Sequence, residues 1–310
     1  MQNNIAKRHP GNLDHISVCI CTYKRTELLA SLLAALEGQK TDDHFDFSVV
    51  VVDNDRTKSA ESTILAFKNK LAFSVEYYAE PEQNIALARN TAIRNSKGNL
   101  IAFIDDDEIP DNDWLYALHC ALRRYAADGV LGPVFPYFRT PPPQWVIRGK
   151  FYQRPTYDTG FVIDWRKGRT GNILLKRTMF ETSGEMFDPR FGSGAEDQDF
   201  VRRMIKKKHV FVWCNEARAH EYVPPIRWSR IFMIKRALLR GKPTLANPES
   251  GISTILKSCM VIPFYTLALP VLFLLGHHWF VKYLIKDFDH LGRILALLKI
   301  NPIKQIYIVE

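Results

Sequence analysis

An α/β fold centred on a parallel sheet is the architecture this sequence predicts, and three observations carry it. Short β-branched runs alternate with helix-like segments through the first 138 residues, the spacing of βαβ units. One of those runs, residues 47–52 (FSVVVV), is apolar at nearly every position, as a strand buried on both faces must be. With 310 residues, 46% hydrophobic and 24% charged, the chain can bury one large core or two small ones, and disorder is ruled out.

Taken along the chain, the first strand is expected over residues 15–21 (HISVCIC) and the first helix over 25–36. The apolar run 47–52 is the second strand, followed by a helix over 59–70. A strand at 75–79 leads to a helix at 85–95, which Asn95-Ser-Lys-Gly98 closes with a glycine where a C-cap belongs. The strand at 100–104 (LIAFI) precedes a helix at 113–126, with Asp111 or Asn112 as its cap, and a strand at 130–135. Pro141–Pro143 end this region, because three prolines continue neither a helix nor a central strand. Beyond them, β-like runs fall at 160–164, 172–176 and 209–214, with a helix at about 197–207 between the last two. There is no internal repeat and no low-complexity tract.

Charge and cysteine usage narrow the class. The five cysteines are odd in number and show no CxxC or disulfide spacing, which suits a reducing compartment. The polar start, MQNNIAKRHPGNLDH, has no apolar core of the kind a secretory signal needs. Net charge is +9, yet residues 200–242 alone hold twelve Lys/Arg against two Asp/Glu, so the rest is near neutral. That block is followed by nineteen uncharged residues, 258–276 (SCMVIPFYTLALPVLFLLG), just long enough to span a bilayer. Pro263 and Pro270 within it fit a membrane helix or a bent half-inserted segment, while a core helix or a dimer interface would bury it equally. A basic block beside an apolar segment points to an anionic membrane surface. Nucleic acid is not expected, since zinc-finger, RNP and helix-turn-helix patterns are all missing.

The sharpest motif is Asp105-Asp-Asp-Glu108, four acids fed directly by the apolar run LIAFI. Carboxylates crowded at a strand end repel one another, and a divalent cation is the simple remedy, against a solvated acidic loop as the plain alternative. Ligands of open α/β sheets bind at the carboxyl ends of strands. Two other strand ends, Thr22-Tyr23-Lys24-Arg25 and Asp53-Asn54-Asp55, are polar too, though each also suits a helix start or a turn. Neither GxGxxG, GxxxxGK[ST] nor GxSxG occurs, so dinucleotide oxidoreductases, P-loop phosphotransferases and serine hydrolases are excluded as readings.

In this order, ISVCICTYKR, VVVDND, ALARNTAIRNSKGN, LIAFIDDDEIPDNDWL, TGNILLKR and GSGAEDQDFVRRM resemble the family 2 inverting glycosyltransferases of the GT-A fold. The match covers roughly residues 14–222, and VLGPVFPYF, PPPQW and AHEYVPP are most similar to the bacterial exopolysaccharide glucosyltransferases of the succinoglycan type. The resemblance implies a Rossmann-like mixed sheet flanked by helices, with a catalytic domain over 1–222. Residues 14–138 would form its nucleotide-sugar half and 139–222 its acceptor half, and 223–310 a membrane-associating region of basic helix and apolar segment. It implies that Asp53 contacts the uracil or ribose, that Thr22, Tyr23 and Arg25 line the same pocket, and that Arg89 sits beside base and phosphates. Asp105 and Asp107 would form the metal motif for Mg²⁺ or Mn²⁺, with Asp106 toward the ribose. Glu196-Asp197 would be the acidic pair, Asp197 the general base. Helix capping is the plain role for that pair, because acids suit a first turn.

Four further residues are candidates. His220 follows a β-like segment and would complete the metal shell, as a histidine does in some GT-A relatives, or be structural. Arg236 and Arg240 lie one helical turn apart and would clamp a diphosphate. Trp145 would stack on an acceptor sugar or pack in the core. The expected function is transfer of a hexose, glucose foremost, from a UDP-sugar to a polyprenyl-diphosphate-linked glycan at the cytoplasmic face of a bacterial inner membrane. A sugar nucleotidyltransferase is the alternative, weakened by the lack of glycine in residues 22–27. A non-catalytic membrane assembly subunit is the other, weakened by the intact acidic motifs.

Overall fold

The computed structural model describes residues 13–68, 70–183, 186–192, 194–241 and 252–303; the polar start read above lies mostly outside them. In chain order the elements are β1 (Asp14–Thr22), α1 (Thr26–Leu36), β2 (Phe45–Asp53), α2 (Glu61–Phe67), β3 (Val75–Ala79), α3 (Ile85–Asn95), β4 (Leu100–Ile104), β5 (Glu108–Pro110), α4 (Trp114–Arg124), β6 (Gly129–Leu131), β7 (Val134–Tyr137), α5 (Gln144–Gly149), β8 (Asn172–Lys176), α6 (Thr178–Ser183), α7 (Glu196–Lys206), β9 (Phe211–Trp213), β10 (Ala219–Tyr222), α8 (Arg230–Leu239), α9 (Ile252–Leu275) and α10 (His277–Leu297).

Seven strands form the central sheet in the order β3-β2-β1-β4-β8-β6-β9. The first four are parallel; β8 runs antiparallel between β4 and β6, so the sheet is mixed. Strand alternation splits the core into two layers. Val18 and Ile20 face Leu29 and Leu33 of α1 with Trp114 and Leu118 of α4, while Cys19, Val50 and Val52 pack with Ala88 and Ala92 of α3 and Phe200 of α7. The pairing of Thr22 with Asp53 sets two polar strand ends side by side.

Several local expectations change. Residues 130–135 split into β6 and β7, because Pro133 has no N–H to continue a ladder, and β7 joins β10 and β5 in a separate three-stranded sheet. The run 160–164 makes one isolated bridge, Val162 to Val212, and is not a strand. Gly98 is not a left-handed cap: α3 ends at Ser96 in extended backbone. The glycine is needed because a Cβ there would lie 2.3 Å from the His15 carbonyl oxygen. Neither Asp111 nor Asn112 caps α4 through its side chain; the Trp114 N–H bonds the Asp111 carbonyl at 3.0 Å.

The apolar segment is one helix, α9, with Pro263 and Pro270 inside it. Within Ser253–Leu275 the most apolar eighteen residues have mean hydropathy 2.1 and only 6% of them are buried, so the helix is not a core helix of this chain. By length and composition this helix suffices to cross a membrane. Arg227 and residues of α8, beyond residue 222, form part of the cleft described next.

Candidate active site

The carboxyl ends of β1 and β4, the start of α7 and the inner face of α8 surround a cleft of about 1050 Å³. It is lined by eleven Lys/Arg and seven Asp/Glu side chains, a surplus of positive charge that suits a polyanion.

Its floor is the acidic run. Asp106 is buried and accepts hydrogen bonds from Thr22 Oγ1 at 2.8 Å and Arg25 Nη1 at 3.0 Å. Asp107 Oδ2 accepts from Arg25 Nη1 at 3.2 Å and from Arg227 Nη2 at 2.7 Å. Burial raises the Asp106 pKa, against the pull of Arg25. Asp107 carries the same burial cost, but Arg25 and Arg227 outweigh it and hold its carboxyl below the ordinary range. Asp105 behaves differently: its side chain keeps 47% exposure toward the cleft, with Arg89 Nη2 at 3.4 Å. Desolvation raises its pKa, opposed by Arg89 and reinforced by Asp107 and Glu221. Below them Glu108 is wholly buried with no hydrogen-bond partner on either oxygen. Burial, then the Asp105 charge, push its pKa well up. Gly171 permits this crowding, since a Cβ there would sit 2.8 Å from Asp105 Oδ2.

The far wall begins at α7. Glu196 is buried against Arg89 as an ion pair. Asp197 is half-buried, lines the cleft, and accepts the Gln198 N–H at 2.7 Å. Desolvation raises its pKa, opposed by the positive charges of Arg89 and Arg169. Such a carboxylate is a better proton acceptor near neutral pH than an exposed one.

The structure thus brings Thr22, Tyr23, Arg25, Arg89, Asp105, Asp106, Asp107, Glu196, Asp197, Arg236 and Arg240 to one cleft. Arg240 is also bonded to Asp289 at 2.7 Å. At Arg236 desolvation and the like charge of Arg227 lower the pKa, and an anionic ligand would relieve both.

Three expected residues do not reach it. Asp53 has no exposed surface; its carboxylate accepts from Ala60 N–H at 2.7 Å, Asp55 N–H at 3.1 Å and Tyr77 OH at 3.2 Å. It therefore organises the turn after β2, and its neighbour Asn54 faces the cleft instead. His220 bonds Asp111 at 3.0 Å, because β10 turns alternate side chains to opposite faces and gives the cleft Glu221. Trp145 packs edge-on against Phe151 and His277, at ring separations of 5.4 and 5.5 Å, outside the cleft.

Sequence reasoning also missed Glu221, Arg154 and Arg227. Arg227 bridges Asp107 and Glu221, the latter at 2.7 Å, and Arg154 pairs with Glu221 from the other side. Only the basic character of residues 200–242 hinted at Arg227; Arg154 carried no signal.

These residues suit a hard divalent cation entering with its ligand. The donors are all oxygen, Asp105 is open to the cleft, and behind it Glu108 has no hydrogen bond to either oxygen, with Arg154 Nη1 3.9 Å from one of them. Among the described residues no three side chains form a ready-made metal cage. Mg²⁺ commonly takes one or two carboxylates and completes its shell with phosphates and water.

Comparison with known proteins agrees with this geometry. The family model for glycosyl transferase family 2 matches residues 17–182. The succinoglycan biosynthesis protein ExoM of Rhizobium meliloti is 34% identical over 235 residues, 75% of each chain. The hyaluronan synthase of Pasteurella multocida is 28% identical over 68% of this chain, which spans only 25% of that protein. Among solved structures, S. aureus TarS 1–349 in complex with UDP aligns at TM-score 0.51 and 19% identity, over 76% of this chain and 67% of that one. The same TarS fragment with UDP-GlcNAc aligns at TM-score 0.52 and 14% identity, over 93% of each chain. The fold is GT-A. The chain belongs to glycosyl transferase family 2 and is a hexosyltransferase.

Proposed function

We propose that this family 2 glycosyltransferase moves a hexose, glucose foremost, from a UDP-sugar to a lipid-linked oligosaccharide, with inversion, at the cytoplasmic face of a bacterial inner membrane. The observation that carries the reading is the carboxylate of Asp197. It lines the same cleft as Asp105, with its pKa raised by desolvation.

A sugar hydroxyl is a poor nucleophile, so a positioned base that takes its proton in the transition state accelerates attack on the anomeric carbon. Arg89 pairs with both Glu196 and Asp105, and so ties the helix bearing the base to the strand end bearing the acidic run. Tyr23 and Asn54 line the end of the cleft suited to the base and ribose, and Arg154 and Arg236 the part suited to phosphate oxygens. A divalent cation, Mg²⁺ or Mn²⁺, held by Asp105 and Asp107 would supply neutralisation of the departing diphosphate. To hold that cation Asp107 would have to share its carboxylate with Arg25 and Arg227.

Two features support a membrane-borne acceptor: the exposed apolar helix α9 and the likeness to a succinoglycan biosynthesis protein. The test is incubation of the full-length protein with radiolabelled UDP-glucose, Mn²⁺ and a lipid extract of bacterial membranes. Release of UDP with label in the lipid phase, in the anomeric configuration opposite to the donor's, is expected. Label recovered only in water-soluble product overturns the lipid-linked acceptor, and retained configuration overturns the single displacement.

A further inference from the structure

The outer face of α9 is a continuous apolar stripe. Leu256, Met260, Phe264, Leu267, Val271 and Leu274 recur at intervals of three and four and are 57–85% exposed, so they lie on one side of the helix. Its inner face packs on α10, with Thr266 Oγ1 donating to Asp287 Oδ2 at 2.8 Å and Ser258 Oγ within 2.9 Å of His290 Nδ1.

Helix α10 is in turn tied to the catalytic body at its start and again past its middle. His277 Nε2 meets Arg230 Nη2 at 2.9 Å and stacks edge-on with Trp145, while Asp289 takes a bidentate contact from Arg240 at 2.7 and 3.0 Å. It also packs against α8 and α5. Helix α9 therefore runs alongside the body and does not project from it.

A perpendicular insertion of α9 would carry α10 with it. Thr266 lies near the middle of α9, so its partner Asp287, with Lys286 beside it, would sit near the bilayer centre. Each such charge carries roughly a hundredfold penalty in partition.

We propose that α9 lies along, and not across, an anionic lipid surface, seating its apolar stripe in the acyl boundary of a single leaflet. The occupant of the stripe is lipid: the helix that carries it reaches mean hydropathy 2.1 over its most apolar stretch, and Trp279 and Lys282 follow it, with the ammonium 5.6 Å from the indole centroid. Helix α8 holds no acid over residues 230–240; with Arg236 in the cleft and Arg240 on Asp289, Arg230 and Lys235 remain as the complement of anionic headgroups. Phe232, Arg236 and Leu239 of α8 line the cleft, while α10 packs on the same helix.

The proposal rests on the membrane reading above, and one experiment separates their failures. Full-length protein in a Cys21→Ala/Cys120→Ser/Cys259→Ser background is labelled with an environment-sensitive fluorophore at single cysteines replacing Met260, Phe264, Leu267 or Leu274. It is then floated with phosphatidylglycerol/phosphatidylethanolamine vesicles carrying quenchers at shallow or deep positions. Flotation with all four labels at one shallow depth, and all reduced by dithionite added outside, is expected. Flotation with Leu267 deepest and Leu274 protected from dithionite overturns the flat orientation alone. Protein that does not float overturns both readings. Unlabelled Phe264→Asp/Leu267→Asp protein should bind vesicles at least 100-fold more weakly while its thermal stabilisation by UDP is unchanged. Undiminished vesicle binding of that variant, or a solution dimer that this pair dissociates, overturns the assignment of the stripe to lipid.

Discussion

Replacing Arg227 by methionine tests the electrostatic frame of the cleft most directly. Its side chain is 5% exposed and donates to Asp107 and to Glu221, both at 2.7 Å. Removing one member of a buried ion pair costs about 3–5 kcal/mol, because the partner charge stays buried. Here each carboxylate keeps a second guanidinium, Arg25 for Asp107 and Arg154 for Glu221, so the lower end, about 3 kcal/mol, is expected. At roughly 2 °C per kcal/mol for a chain of this size, Tm falls by about 6 °C. In the native protein the Asp107 pKa lies below its ordinary 3.8, so the pair stabilises at neutral pH and that contribution is lost as pH falls toward acid. In the variant the Asp107 pKa moves up. Its deficit is then largest at pH 7–8 and narrows as pH falls through the raised value. Differential scanning fluorimetry in mild detergent across pH 5–8 measures this, with Arg227→Lys restoring about half. A drop under about 1 °C, or a deficit independent of pH, refutes the reasoning.

Asp197→Asn should retain UDP affinity and lose kcat by about 10²-fold or more, as for a missing general base; a collapse of UDP binding with kcat intact would move Asp197 to the donor pocket. The acid limb of the native kcat/KM profile should lie above the ordinary carboxylate range, since the Asp197 pKa is raised and activity requires its basic form. A profile flat through pH 5 would contradict that. Asp105→Ala should abolish the stimulation by Mn²⁺, whereas His220→Ala should change the Mn²⁺ concentration for half-activation less than about twofold, because that imidazole faces Asp111. Titration of turnover with Mn²⁺ separates the two. Loss of the native complement of Asp14 is a stability test away from the cleft. Arg123, His119 and Asn99 overcome its burial and hold its pKa at about 2, so Asp14→Asn should lower stability at pH 7 by about 2 kcal/mol, and acid unfolding should lose that difference as pH falls through 3.8 toward 2.

The sequence by itself determined the parallel half of the sheet and the acidic floor of the cleft. Strands β1, β2, β3 and β4 are five to nine residues long, enough for their apolar pattern to be read, and each ends in residues whose polarity breaks it. The start of α7 was legible for the same reason, with acids clustered just before an amphipathic run. What faces the cleft from the other side was decided only by tertiary structure. Strand β10 has four residues, and its parity is set by pairing with β5 and β7, so nothing local says that Glu221 turns in and His220 out. Arg227 reaches Asp107 across 120 residues. Asp53 is withdrawn by the Ala60 amide and the Tyr77 hydroxyl, seven and 24 residues away. A side chain's residue type fixes its chemistry, but whether that chemistry meets ligand or another side chain depends on long-range packing, and the ion pairs that settle it leave no periodic trace along the chain.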